Sequence, residues 1–187
     1  MRSLAAVGVA IGLTAASIGG YAAVIIYQGN FSTVSPGIVY RSAQLSGPEL
    51  ESVARQYSIK SVLNLRGRNV GSPWYDEEVA QSQALGLVHY DYGISAQRLV
   101  TPRQIADILD ILRQAPKPLL VHCMSGSDRA GLVAALYRYA VAGESAQEAD
   151  RELSLLYGHF PYLTSRSGAM DDSFWAFVNG TEKSAAR

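Results

Sequence analysis

The chain has a single cysteine among its 187 residues, and its neighbours are those a reactive thiol needs. Cys123 stands in His122-Cys123-Met124-Ser125-Gly126-Ser127-Asp128-Arg129, with a glycine three residues on and an arginine six residues on. The apolar run Leu119-Leu120-Val121 ends just before it, and Arg129 to Ala142 reads as a helix. The thiol therefore belongs to a short loop between a strand and a helix N-terminus. Such a loop turns successive backbone N–H groups inward and adds the positive end of a helix dipole, which together bind an anion. Cations and helix N-termini also favour thiolate over thiol. The expected chemistry is a thiolate nucleophile inside a cradle for a phosphate-like dianion.

Each neighbour has a role that follows from its chemistry. Arg129 offers a planar fork of donors that fits two phosphate oxygens. Gly126 lets the backbone turn and come close to the anion. Met124, Ser125, Gly126, Ser127 and Asp128 supply the N–H groups of the cradle, with the serine hydroxyls as further donors. His122 either steadies the loop by bonding nearby backbone or is a core histidine at a strand end. A lone cysteine can also be a small buried hydrophobe; the glycine, the arginine and the strand and helix on either side favour the nucleophile.

This segment resembles the HCxxGxxR loop of the cysteine-dependent protein tyrosine and dual-specificity phosphatases. Val39-Tyr40-Arg41-Ser42-Ala43-Gln44, Val62-Leu63-Asn64-Leu65-Arg66 and Tyr157-Gly158-His159-Phe160 are similar to the small bacterial and fungal dual-specificity-like members, so the likeness spans about residues 38–162. The resemblance implies that Cys123 attacks phosphorus to give a cysteinyl-phosphate, which water then hydrolyses. This route splits one displacement into two, with Arg129 and the loop amides stabilising the equatorial oxygens. It implies no metal and no cofactor. The family usually carries a hydroxyl residue after the arginine, where this chain has Ala130, so slow breakdown of the phospho-enzyme is expected. Two residues compete as general acid. Asp91 lies 32 residues before Cys123, a spacing that suits the family, but on a segment that reads as a strand. Asp128 lies inside the loop, as in some lipid-directed members, or is simply a charge that suits a helix N-terminus.

The expected substrate is a phosphomonoester, on phosphotyrosine in proteins or on a lipid or glycolipid. The loop lacks the lysines that phosphoinositide-directed relatives place there, which argues against a multiply phosphorylated inositol headgroup. A phosphate-binding module with little turnover and a sulfurtransferase are the alternatives. Sixteen basic residues balance sixteen acidic ones, so the basic footprint of a nucleic-acid binder is missing. One cysteine excludes an intramolecular disulfide.

Leu4 to Ile26 is 23 residues without a charge, and about 20 residues of helix cross a bilayer. Arg2 precedes the stretch and the next basic residue is Arg41. Under the positive-inside rule this predicts an uncleaved membrane anchor with the rest of the chain outside the cytoplasm, periplasmic in a bacterium; a cleaved signal peptide is the alternative. Gly8, Gly12, Ala16 and Gly20 would form a small-residue face for homodimerisation.

The elements that must hold the site follow from pattern. Val39-Tyr40, Lys60–Leu65, Val88–Tyr92 and Leu119–His122 read as strands. Helices are expected over Pro48–Tyr57, from Ser72-Pro73 to about Leu85, from Thr101-Pro102 with Ile105, Ile108, Leu109 and Leu112 on one face, from the loop to Gly143, from a capping box at Ser145 to about Tyr157, and over Asp172–Val178. Alternation of strand and helix indicates an α/β fold, a mostly parallel central sheet flanked by helices, with the site at the carboxyl end of a strand. The expected organisation is an anchor over 1–27, a linker over 28–37, a catalytic domain over 38–180 and a tail over 181–187. Arg41, Arg66 and Arg68 are either charges at the pocket mouth or solvated surface groups, and His159, in an aromatic stretch, reads as structural.

Overall fold

The computed structural model describes residues 19–21, 23–162 and 165–185. Its strands are β1 (Ser32–Ser35), β2 (Val39–Ser42), β3 (Ser61–Asn64), β4 (Val88–Asp91) and β5 (Leu119–His122). They form one sheet in the order β1-β2-β5-β3-β4. The pairs β2–β5, β5–β3 and β3–β4 are parallel, and β1 is an antiparallel edge. Every residue of β2, β3 and β5 is buried, as a parallel sheet covered on both faces requires. Among the described residues from Gly47 onward, six α-helices surround it: α1 (Gly47–Tyr57), α2 (Pro73–Ala84), α3 (Pro102–Gln114), α4 (Asp128–Ala140), α5 (Ala146–Asp150) and α6 (Ala169–Ala185).

The helices start where their chemistry dictates. Ser46 with Glu49 and Thr101 with Gln104 form capping boxes, and Pro48, Pro73 and Pro102 sit in the first turns, where a missing N–H costs nothing. One face of the sheet packs on α1 through Tyr40, Leu50, Ala54, Val62 and Leu120. The other carries the larger core with α3, α4 and α6. There α3 buries Ile105, Ile108, Leu109 and Leu112, and α4 is buried continuously from Ala130 to Tyr137. The C-terminal ends of β5, β3 and β4 align at His122, Asn64 and Asp91, so the cysteine loop leaves the middle of the sheet.

Several local expectations change. Ser32–Ser35, inside the segment read as linker, pairs with β2 as an edge strand. The helix opened by Ser145 stops at Asp150 instead of reaching Tyr157; the chain turns so that Glu152 and Leu153 enter the interior, and a 3-10 turn follows at Leu155–Tyr157. The last helix is longer than Asp172–Val178. Met170, Phe174 and Val178, four residues apart, are all buried, each contributing roughly 1.5–3 kcal/mol, and the helix runs through part of the expected tail to Ala185.

The expectation of a membrane anchor with an extracytoplasmic domain is corrected. Among the described residues no helix is long and apolar enough to cross a membrane. The end of the apolar stretch, residues 23–27, is helical and turns directly into the domain: Gln28 N–H bonds Val24 O, and Asn30 N–H bonds Ile25 O. Just upstream, Tyr21 hydroxyl donates to Leu156 O at 3.0 Å. Residues 4–18 and 22 lie outside the described residues, and with them Gly8, Gly12 and Ala16 of the expected dimer face.

Candidate active site

Cys123 follows the last residue of β5 and is 1% exposed. The backbone then bends through Met124–Ser127 into α4, whose first residues are Asp128 and Arg129. Gly126 makes the bend possible. Its φ is +75°, and a Cβ there would lie 2.7 Å from Ala43 N and 2.8 Å from the Ser42 carbonyl carbon. Only glycine satisfies both conditions. The loop is stitched to its surroundings by Gln44 N–H to Met124 O at 3.1 Å and by Asn30 Nδ2 to Ser125 O at 2.8 Å.

Arg41 is not at the pocket mouth. It is fully buried in β2 beneath the loop. Its Nη2 donates to Gly126 O at 2.6 Å and Ser127 O at 3.0 Å, and its Nη1 donates to Glu152 O and Glu152 Oε2, both at 2.8 Å. Tyr157 covers the guanidinium, 4.3 Å from its ring centre. By drawing two loop carbonyls inward, Arg41 fixes the peptide planes that set where the loop N–H groups point. Arg129 lies nearby with Nη1 on the carbonyls of Leu65 (3.2 Å) and Ile94 (3.4 Å). Its Nε is buried and, among the described residues, has no partner, as is Ser127 Oγ. Unpartnered buried donors are costly, and a bound oxyanion would satisfy them.

Behind the cysteine lies a buried carboxylate. Glu78 of α2 accepts from His122 Nε2 (3.1 Å), His89 Nε2 (2.8 Å) and Gln44 Nε2 (2.5 Å). Burial alone would raise its pKa, but the bonds from His122 and His89, the charge of His122 and the bond from Gln44 outweigh that and hold it at about 2. Gln44 in turn accepts from Arg66 Nη1 at 2.9 Å, and Arg66 stacks 3.4 Å over the Trp74 ring. Burial and the like charge of Arg129 lower the Arg66 pKa. The site thus brings two guanidinium groups together.

The two candidate acids are placed differently. Asp91 is in register with Asn64 and His122, so its side chain is on the α1–α2 face of the sheet, whereas Cys123 belongs to the core on the other face. Asn64 Nδ2 and Tyr75 hydroxyl bond its two oxygens at 2.9 and 2.5 Å. Asp128 is the first residue of α4, where the loop ends, and keeps a side-chain exposure of 26%. One of its oxygens lies 2.7 Å from His159 Nδ1, whose Nε2 lies 2.8 Å from Asp171.

Residues 17–149 match the sequence model of the tyrosine phosphatase family, more than half of the chain. This chain is a member of the tyrosine phosphatase family. It is a cysteine-dependent phosphatase. The match begins inside the stretch that the sequence alone offered as a membrane span. No curated protein matches this phosphatase. Solved structures share its fold. P. aeruginosa TpbA superimposes with a TM-score of 0.60 at 23% identity, over 81% of this chain and 92% of its own. TpbA with its cysteine changed to serine, in complex with phosphotyrosine, gives the same figures. The core catalytic domain of the S. cerevisiae PP-IP phosphatase Siw14 has a TM-score of 0.58 at 19% identity, over 82% of this chain and 93% of its own.

Sequence reasoning missed three parts of this phosphatase's site. Arg41 carried a signal, since an arginine within an inner parallel strand must be buried and paired. Glu78 belongs to a helix whose buried stripe is Tyr75, Glu78 and Ser82, which a hydrophobicity pattern does not register. His159 was placed in the right stretch, but nothing local connects it to Asp128.

Proposed function

We propose that this phosphatase hydrolyses phosphotyrosine in proteins through a phospho-enzyme on Cys123. The observation that carries the reading is the loop itself, a buried thiol facing a backbone bend clamped by Arg41 and flanked by the unpartnered Arg129 Nε. In the first step Cys123 sulfur attacks phosphorus, the S–P bond forms and the bond to the tyrosyl oxygen breaks. Arg129 and the N–H groups of Met124 to Asp128 stabilise the equatorial oxygens. Asp128 protonates the departing oxygen and in the second step takes a proton from the attacking water. Asp91 is committed to Asn64 and Tyr75 and serves the fold around β4. The catalytic unit takes in the segment from Gln28 to α6.

Three features support an aryl phosphate on protein. The matching family is named for tyrosine phosphatases. A structural neighbour binds phosphotyrosine. The loop side chains beside the thiol, Met124 and Ser125, carry no charge to select a second phosphate, and Met124 is 62% exposed at the lip, where it can meet a ring. The experiment is hydrolysis of a phosphotyrosine peptide beside a phosphoserine peptide and a phospholipid dispersion. Turnover of the first, abolished by Cys123→Ser, is expected; turnover confined to the lipid overturns the substrate assignment.

A further inference from the structure

The cluster Asp128–His159–Asp171 lies beside the reacting centre and reaches it from the far end of the chain. His159 has no exposed side-chain surface. Both of its ring nitrogens lie within hydrogen-bond distance of a carboxylate oxygen, Asp128 Oδ1 at 2.7 Å and Asp171 Oδ2 at 2.8 Å. A neutral imidazole has one N–H, and ionised carboxylates only accept. Two bonds therefore need two protons, and the three groups together carry one negative charge. Either His159 is an imidazolium between two carboxylates, or it is neutral and one of the acids is protonated. A third acid faces the cluster: Asp150 at the end of α5, which accepts from Trp175 Nε1 at 3.0 Å and feels the charges of Asp171 and His159. Burial would lower the His159 pKa, but Asp128 and Asp171 together raise it to about 9.

We propose that His159 and Asp171 are the positioning residues of proton transfer, holding one oxygen of Asp128 so that the other faces the leaving group. This rests on the reading of Asp128 as the acid and base. The arrangement fixes the direction of each proton. In the donating state Asp128 carries the cluster's third proton, on Oδ2, and the cluster is neutral. When the S–P bond forms and the P–O bond breaks, that proton passes to the leaving oxygen and the cluster returns to one negative charge. The carboxylate so formed keeps His159 Nδ1–H on its Oδ1. When water attacks the phospho-enzyme, the new O–P bond forms, the S–P bond breaks, and Oδ2 takes back a proton from that water. No group outside the site is needed. Asp171, on α6, fixes the ring: with its Nε2 held, His159 must present Nδ1 to the loop. The C-terminal helix thus supports the chemistry as well as the core.

The test compares full-length wild type, Asp128→Asn, His159→Asn, His159→Phe and Asp171→Asn on phenyl phosphate and p-nitrophenyl phosphate. The nitrophenolate leaves readily without a proton; phenolate does not. In His159→Phe and Asp171→Asn, kcat/KM is expected to fall about tenfold more on phenyl phosphate than on p-nitrophenyl phosphate. His159→Asn keeps a neutral donor near the Nδ1 position but removes the positive charge. Its basic limb in the kcat/KM profile should move up by about one pH unit. Equal losses on both substrates, with an unmoved limb, overturn the proposal by assigning His159 to folding alone. Asp171→Asn, an isosteric change at a residue with 30% side-chain exposure, keeps the test decisive if His159→Phe unfolds. If Asp128→Asn itself loses equally on both substrates, the acid lies elsewhere, and the reading of Asp128 fails together with this proposal.

Discussion

Arg41 grips the carbonyl oxygen of Gly126 at 2.6 Å across 85 residues of chain, and it does so from a strand where it is fully buried. The same guanidinium pairs with Glu152 at 2.8 Å, with side-chain exposures of 0% and 2%. Burying such a pair gains little, but removing one partner leaves a charge uncompensated and costs about 3–5 kcal/mol. Arg41→Lys keeps the charge and loses the fork. Its melting temperature should drop by roughly 10 °C, and kcat/KM should fall about 10²-fold as the loop amides lose their aim. Glu152→Gln should destabilise comparably and retain more activity, because the bonds to Gly126 and Ser127 remain.

Gly126 and Gly143 form a natural pair for separating conformation from contact. Both have φ of +75°. A Cβ on Gly126 meets Ala43 and Ser42 backbone within 3 Å, whereas one on Gly143 meets nothing within 4 Å. Gly143→Ala should cost only the left-handed penalty, about 1–2 kcal/mol, with unchanged kcat. Gly126→Ala should cost more in thermal unfolding and remove most activity, since the bend must shift away from β2.

Ala130 is completely buried directly after Arg129. With no hydroxyl there to help the thiolate leave, breakdown of the phospho-enzyme should limit turnover of an aryl phosphate. Rapid-mixing kinetics should show a burst of one phenolate per site. Ala130→Ser should shrink the burst and raise the steady-state rate. Absence of a burst in wild type would place the slow step before phospho-enzyme formation.

The buried titrating groups predict a stability window. His159 has its pKa raised from 6.5 to about 9, so its contribution is fully present below pH 6.5 and is lost as pH rises through about 9. Glu78 has its pKa lowered from 4.5 to about 2, so its contribution is present above pH 4.5 and is lost as pH falls through about 2. The histidine part is on the order of 3 kcal/mol. Melting temperature against pH should therefore form a plateau between about 4.5 and 6.5. Asp171→Asn should flatten the alkaline fall, and Glu78→Gln the acid one.

The sequence was legible wherever chemistry or period is local. Cys123, Gly126 and Arg129 lie within seven consecutive residues, the strand before them is continuously apolar, and the helix stripe from Ile105 to Leu112 repeats as a helix must. These yield the α/β sheet and the nucleophile loop. What stayed hidden depends on partners distant in the chain. Arg41 meets Glu152 across 111 residues, His122 meets Glu78 across 44, and Asp128 meets His159 across 31. Spacing also misled. Twenty-three uncharged residues are long enough for a bilayer, yet hydropathy does not register that Gln28 to Asn30 close hydrogen bonds onto that stretch and carry it into β1. The helix expected to reach Tyr157 ended early because Glu152 is needed inside by Arg41.

Asn30 joins the leading segment to the nucleophile loop. Its backbone lies in the left-handed region at φ +42°, and its amide nitrogen donates to Ser125 O at 2.8 Å and Tyr157 O at 2.9 Å. One side chain thereby pins the leading segment to the loop and to the turn that covers Arg41. Any partner that grips the residues upstream of Gln28 pulls on a lever that ends at Asn30, two residues on, with the nucleophile's cradle at its other end.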